Sequence, residues 1–253
     1  ETIIRMQFIR SKLFSASLVI WMVIYILPIP FLIFGKNADS RARVCSEFYC
    51  KGFLFLCKYI LNLTFEVRGE PGVESQSPVI YAVKHQSAWE TVALFFLIPN
   101  IVPILKVSLT KIPIFGWYLR RLRMIAVDRA EGRKALLQML KDSEVAIAEK
   151  RNLLIFPEGT RQPPLYNPEL KSGVYLLYRR LGLRVVPVAL NSGVLWPKDA
   201  DIIRAGKVTV SFLTEIKPGL EKQEFLEKLH ESLSIESNKL VEELTMDGDV
   251  MLE

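Results

Sequence analysis

Apolar positions fall into two regimes along the 253 residues. Between residues 13 and 34 no charge interrupts the chain, and those 22 positions as a helix would span about 33 Å, close to the hydrocarbon thickness of a bilayer. That run exceeds the apolar core of a secretory signal peptide. Pro28 and Pro30 each remove a backbone donor and crowd the preceding turn, so a helix should kink or end near Leu27. Residues 41–63 follow as an amphipathic segment. Glu47, Lys51 and Lys58 share one helical stripe, while Phe48, Phe53, Phe55, Leu56 and Ile60 cover much of the rest. The pair reads as a helical hairpin embedded in one leaflet, or as one span and an interfacial helix; two buried core helices are the alternative.

Beyond residue 63 the pattern alternates. Strands are expected at 63–68, 79–83, 101–107, 124–127, 152–156, 185–190 and 208–212, and helices at 87–98, 114–121, 130–149 and 170–181. A final helix over 222–244 places Phe225, Leu229, Leu233, Leu240 and Leu244 on its inner stripe, with His230 on its charged, solvated side. Repeated β-then-α order predicts an α/β fold with a mostly parallel central sheet covered by helices, preceded by the membrane-associated helical hairpin. On this reading residues 1–63 are anchoring helices and 64–253 the α/β domain.

Charge sharpens the membrane reading. Residues 1–58 carry eight Lys/Arg against three Asp/Glu, a net +5, and residues 104–134 eight against two, a net +6. Basic surface beside apolar helices suits anionic lipid headgroups, and an apolar N-terminus argues against nucleic acid as the partner. Cations flank the apolar run on both sides, so the positive-inside rule sets no orientation. Cys45, Cys50 and Cys57 are odd in number, all on the second segment, and lack C-x-x-C spacing; they read as apolar filler in a reducing compartment. No metal-binding spacing is present in the sequence.

Candidate chemistry sits at strand exits. His85, one of two histidines, follows the second strand and precedes a helix, with Glu90 five positions on. Five helical residues rotate roughly 500°, so the two side chains can meet only if His85 lies ahead of the helix. Ser87 can cap that helix, with Ala88 its first residue. Ser87-Ala88-Trp89-Glu90 is then a capping box, which makes Glu90 a structural cap, the holder of the second imidazole nitrogen, or both. Phe156-Pro157-Glu158-Gly159-Thr160-Arg161 ends a second strand. Pro157 stops the strand, Gly159 permits a tight turn, and Arg161 offers a planar fork suited to phosphate oxygens. Glu158 is out of place beside an anion and reads as an anchor of the loop or a group that orients Arg161. A general base and an anion-binding fork on one sheet suggest an enzyme acting on a phosphorylated hydroxyl compound.

These residues carry a resemblance. His85 to Glu90 resembles the His-x-x-x-x-Asp motif of the glycerolipid acyltransferases, in particular the bacterial 1-acylglycerol-3-phosphate (lysophosphatidic acid) acyltransferases; Glu90 stands for the usual Asp, adding one methylene. Residues 106–116, including Pro113 and Gly116, resemble the second block, which closes at Asp128-Arg129, and Arg123 stands where the family usually has Gly. Residues 156–161 match the third block outright, with Gln162 where Ser is common. Lys171 and Gly173 fit a short Lys-x-Gly element, and residues 186–193 resemble a fourth block expected to line the acyl-thioester site.

The resemblance implies His85 and Glu90 as the catalytic pair. It also implies phosphate binding by Arg161, Lys106 and Arg129, and a loop organised by Glu158, Gly159 and Thr160. No cofactor is expected beyond acyl-CoA or acyl carrier protein as co-substrate. The implied partners are lysophosphatidic acid and membrane lipids at an inner or cytoplasmic membrane, with the site facing the cytoplasm. The same motifs serve acyltransferases of other lysolipids, and a non-catalytic lipid-binding adaptor is the reading outside enzymes. The absence of a G-x-S-x-G elbow argues against an acyl-enzyme.

Overall fold

The computed structural model describes residues 2–26, 38–70, 77–112 and 115–246. The helix break expected at Pro28 and Pro30, and the loop shaped by Pro113, lie outside the described residues. Helix α1 (Thr2–Ile26) and helix α2 (Ala38–Leu56), the latter extended by a π-helical turn (Cys57–Leu61), pack on each other. Phe14 meets Phe53, Trp21 meets Phe48, and Tyr25 meets Tyr49, so the two run antiparallel. The 22 residues of α1 from Ile4 to Tyr25 are long and apolar enough to cross a membrane, and most of their surface is uncovered. α2 adds Val44, Phe48, Phe55 and Tyr59, all exposed, while Ala42, Cys50, Phe53 and Cys57 turn inward. An apolar helix pair left this bare suits association with a membrane.

The α/β part follows in the order β1 (Leu63–Arg68), β2 (Ile80–Val83), α3 (Trp89–Leu97), β3 (Ile101–Lys106), α4 (Phe115–Arg121), β4 (Ile125–Val127), α5 (Arg133–Ala148), β5 (Asn152–Ile155), α6 (Gly173–Leu181), β6 (Val185–Leu190), α7 (Ser192–Leu195), β7 (Gly206–Phe212) and α8 (Lys222–Met246). Seven strands form one sheet in the order β1-β7-β6-β2-β5-β3-β4. Every neighbouring pair is parallel except β6 with β7. The sheet is therefore mostly parallel, as the alternating pattern predicts.

Its central strands are buried on both faces, which explains their unbroken apolar runs. Along β2, Tyr81 and Val83 join one core, with Phe14, Phe53 and Trp89, while Ile80 and Ala82 join the other, with Met139, Leu177 and Phe225. The N-terminal helices thus share a core with the sheet. The five expected stripe residues of α8 are all buried. His230 departs from its expectation: it is half-buried, and its Nε2 lies 3.2 Å from the Asn167 carbonyl oxygen. The short α7 has no periodic pattern long enough to foresee.

Candidate active site

Four adjacent strands, β2, β5, β3 and β4, run parallel and present their C-terminal ends together. Ligands of open parallel sheets sit at such ends, because the connecting loops there come from several strands at once. A cavity of about 820 Å³ extends from these ends, and His85, Lys106, Arg129, Gly159, Thr160 and Arg161 all line it. Six of the eight expected site residues thus share one space. The other two, Glu90 and Glu158, are buried behind it. The deep part of the cavity is apolar, walled by Val92, Phe95, Leu105 and Met139, and it reaches Tyr25, Ser46, Tyr49 and Cys50 of the N-terminal helices.

His85 leaves β2 four residues before α3 begins, so the geometric condition for meeting Glu90 is satisfied. Its Nδ1 lies 2.9 Å from Glu90 Oε1. The same oxygen accepts the N–H groups of Gln86 at 2.8 Å and Ser87 at 2.7 Å, while Oε2 accepts the Ser192 hydroxyl at 2.8 Å. Cap and imidazole holder are therefore one atom, and the longer Glu side chain reaches both. Helix α3 starts at Trp89, one residue later than expected, with Ser87 Oγ accepting the Trp89 N–H at 3.1 Å. Four donors on one buried carboxylate leave Glu90 no freedom to turn. With Nδ1–H donated to Glu90, the Nε2 lone pair is the open one, and it has no hydrogen-bond partner among the described residues. The Phe156 ring stacks beneath the imidazole with centroids 3.9 Å apart.

The loop after β5 grips the His85 peptide from both sides. Glu158 Oε2 accepts the His85 N–H at 3.0 Å, and the Gln162 N–H donates to the His85 carbonyl at 2.8 Å. The other Glu158 oxygen lies 2.6 Å from Lys84 Nζ, with the two side chains 1% and 2% exposed. Lys84 completes its three donors at Asn167 Oδ1, 2.7 Å, and the Tyr166 carbonyl, 3.1 Å. Burial pushes the Glu158 carboxyl above the usual carboxylate range, opposed by the Lys84 ammonium and the His85 N–H. Of the two roles open to Glu158, anchoring is the one built.

Gly159 has φ +77°, the left-handed region that the turn requires. A Cβ there would meet the Arg129 guanidinium and the Lys171 stem at 3.5 Å, an ordinary contact, so conformation rather than space favours glycine. Thr160 forms no hydrogen bond among the described residues; it is exposed on the cavity wall rather than bracing the loop. Arg161 pairs with Asp199 at 3.5 Å, and Lys171 and Lys198 bring further positive charge to the same cavity.

The fourth sequence block is placed differently from its expectation. Asn191, Ser192 and Gly193 are buried and do not line the cavity. Ser192 holds Glu90, the Gly193 N–H donates to Gln86 Oε1 at 3.1 Å, and Asn191 bonds the Leu240 carbonyl and the Thr209 N–H. This block supports the His85–Glu90 pair from behind. The sequence pattern assigns no role to Lys84, Phe156 or Ser192. A lysine directly after four apolar residues of β2 was the one available signal, since a charge at such a depth needs a partner.

An Acyltransferase family model matches residues 64–191. The chain is 34% identical over 196 residues to a 1-acyl-sn-glycerol-3-phosphate acyltransferase of Pseudomonas aeruginosa, covering 76% of this chain and 74% of that one. It is 27% identical over 215 residues to the enzyme of the same name from Helicobacter pylori, with 83% and 84% covered. The fold matches the crystal structure of the 1-acyl-sn-glycerophosphate acyltransferase of Thermotoga maritima with a TM-score of 0.77 at 20% identity, over 92% of this chain and 97% of that one. The blocks read from sequence, the strand-end site and these likenesses agree, and the chain belongs to the 1-acyl-sn-glycerol-3-phosphate acyltransferase family.

Proposed function

We propose that this acyltransferase esterifies the 2-hydroxyl of a 1-acylglycerol 3-phosphate, using acyl-CoA or acyl carrier protein as donor, to give phosphatidic acid in phospholipid synthesis. His85 Nε2 takes the hydroxyl proton, and the oxygen attacks the thioester carbonyl. The tetrahedral adduct then expels the thiolate, which recovers the proton from the imidazolium. Glu90 holds the ring in the required tautomer and stabilises its positive form. Arg161, Lys106 and Arg129 receive the phosphate, and the apolar depth of the cavity receives an acyl chain. The reading places the enzyme at the inner or cytoplasmic membrane with its site facing the cytoplasm, in keeping with the basic surface of residues 104–134.

One observation carries the proposal: an imidazole with an open nitrogen and the three predicted cations line a single cavity. Purified protein should release thiol from acyl-CoA faster with lysophosphatidic acid than with neutral or zwitterionic lysolipids. Equal or faster release with the latter overturns the acceptor assignment. His85→Ala should lower kcat at least about 10²-fold while membrane association persists, and near-normal turnover would end the base mechanism.

A further inference from the structure

Segment 196–203 connects the support of the catalytic pair to the N-terminal helix, and its middle reaches the cavity. At one end Trp196 lies edge-on to Phe14 of α1, centroids 5.5 Å apart, and stacks on Phe53 of α2 at 6.1 Å. At the other end the Ile203 N–H donates to the buried Ser11 Oγ of α1 at 2.8 Å, and Lys12 of α1 lies 3.5 Å from Asp201. Between these anchors Lys198 and Asp199 are exposed. Lys198 lines the cavity and has no protein partner among the described residues. Asp199, its side chain 73% exposed, is ion-paired with Arg161. Asp199 also has φ +61°, a left-handed backbone that Asp and Asn tolerate better than most residues.

We propose that this segment is an acceptor-recognition strap: Asp199 is an exchangeable counter-ion that holds Arg161 at the cavity and yields it to the acceptor's phosphate, and Lys198 is a further cation for that phosphate. The inference rests on the acceptor being phosphorylated. An exposed carboxylate at 3.5 Å from a single guanidinium contributes little in water and is readily displaced by a dianion that can accept two N–H groups at once. Asp199 is thus a positioning residue that also competes with substrate. Because α1 holds both ends of the strap and α2 one of them, the apolar N-terminal helices also set where the phosphate is read.

Steady-state kinetics of the full chain in detergent micelles, with lysophosphatidic acid and an acyl-CoA, test this. Asp199→Asn preserves the left-handed backbone and removes the charge. It should lower KM for lysophosphatidic acid roughly three- to fivefold with kcat nearly constant, and should lower the inhibition constant of inorganic phosphate in parallel. Lys198→Gln should raise both by a similar factor. A fall in kcat at constant KM in Asp199→Asn would mark a purely structural segment and overturn the proposal. So would a phosphate inhibition constant that neither variant moves. Wild-type protein that rejects lysophosphatidic acid but turns over a neutral lysolipid would instead overturn the acceptor reading beneath it.

Discussion

The loop following β5 has two sides that differ in every electrostatic respect. Behind it, Glu158 and Lys84 meet at 2.6 Å in near-complete burial, and each remaining polar atom of the pair has a partner. In front, Arg161 and Asp199 meet at 3.5 Å in solvent, beside Lys106, Arg129, Lys171 and Lys198. The first arrangement is costly to disturb, because removing one partner strands the other charge away from water. The second contributes at most about 1 kcal/mol and is easily exchanged. The loop is thus rigid where it meets the protein and exchangeable where it meets the cavity.

Substitutions can break that contrast. The largest effect is expected from Lys84→Met, which leaves Glu158 buried and unpaired and should cost about 3–5 kcal/mol of stability in chemical denaturation. Adding Glu158→Leu should recover most of that loss, and a double variant no more stable than the single one would show that the pair is not a self-contained unit. Glu90→Gln comes next. It cannot accept all four donors as a carboxylate does, and kcat should fall by about 10²-fold or more with KM little changed; unaltered kcat would reduce Glu90 to a helix cap. Arg161→Ala removes the fork and should raise the acceptor KM about tenfold, read from initial rates. An unchanged KM would shift phosphate binding to Lys106 and Arg129.

The smallest effect concerns Arg123, whose φ of +52° explains why glycine is usual at that position of the family. Arg123→Gly should change stability by less than about 1 kcal/mol, since relief of the left-handed backbone is offset by the lost ion pair with Glu149. A larger loss in thermal unfolding would give that ion pair more weight than its exposure allows.

Features set by local spacing were readable in the chain, and those set by long-range contact were not. His85 and Glu90 are five residues apart, so a capping box and a strand exit sufficed to bring them together. The β-α alternation foretold the mostly parallel sheet because buried parallel strands must be apolar on both faces. Ser192, by contrast, is 102 residues from the Glu90 it holds, and no periodicity signals such a contact. The same limit applies to residues 191–193: the resemblance implies a cavity wall, whereas their polar groups turn inward to Glu90, Gln86 and α8. The helical face alone predicts a solvated His230; the Asn167 carbonyl that it contacts arrives from another loop.

Phe14, Phe53 and Trp196 form an aromatic joint between the first two helices and the end of α7, with Phe14 and Phe53 nearly inaccessible to water. A version of the enzyme shorn of α1 to improve its handling would open that joint and expose rings that now face one another. Such a fragment would stick to itself in dilute buffer, so the apolar helix α1 doubles as part of the α/β body's own interior wall.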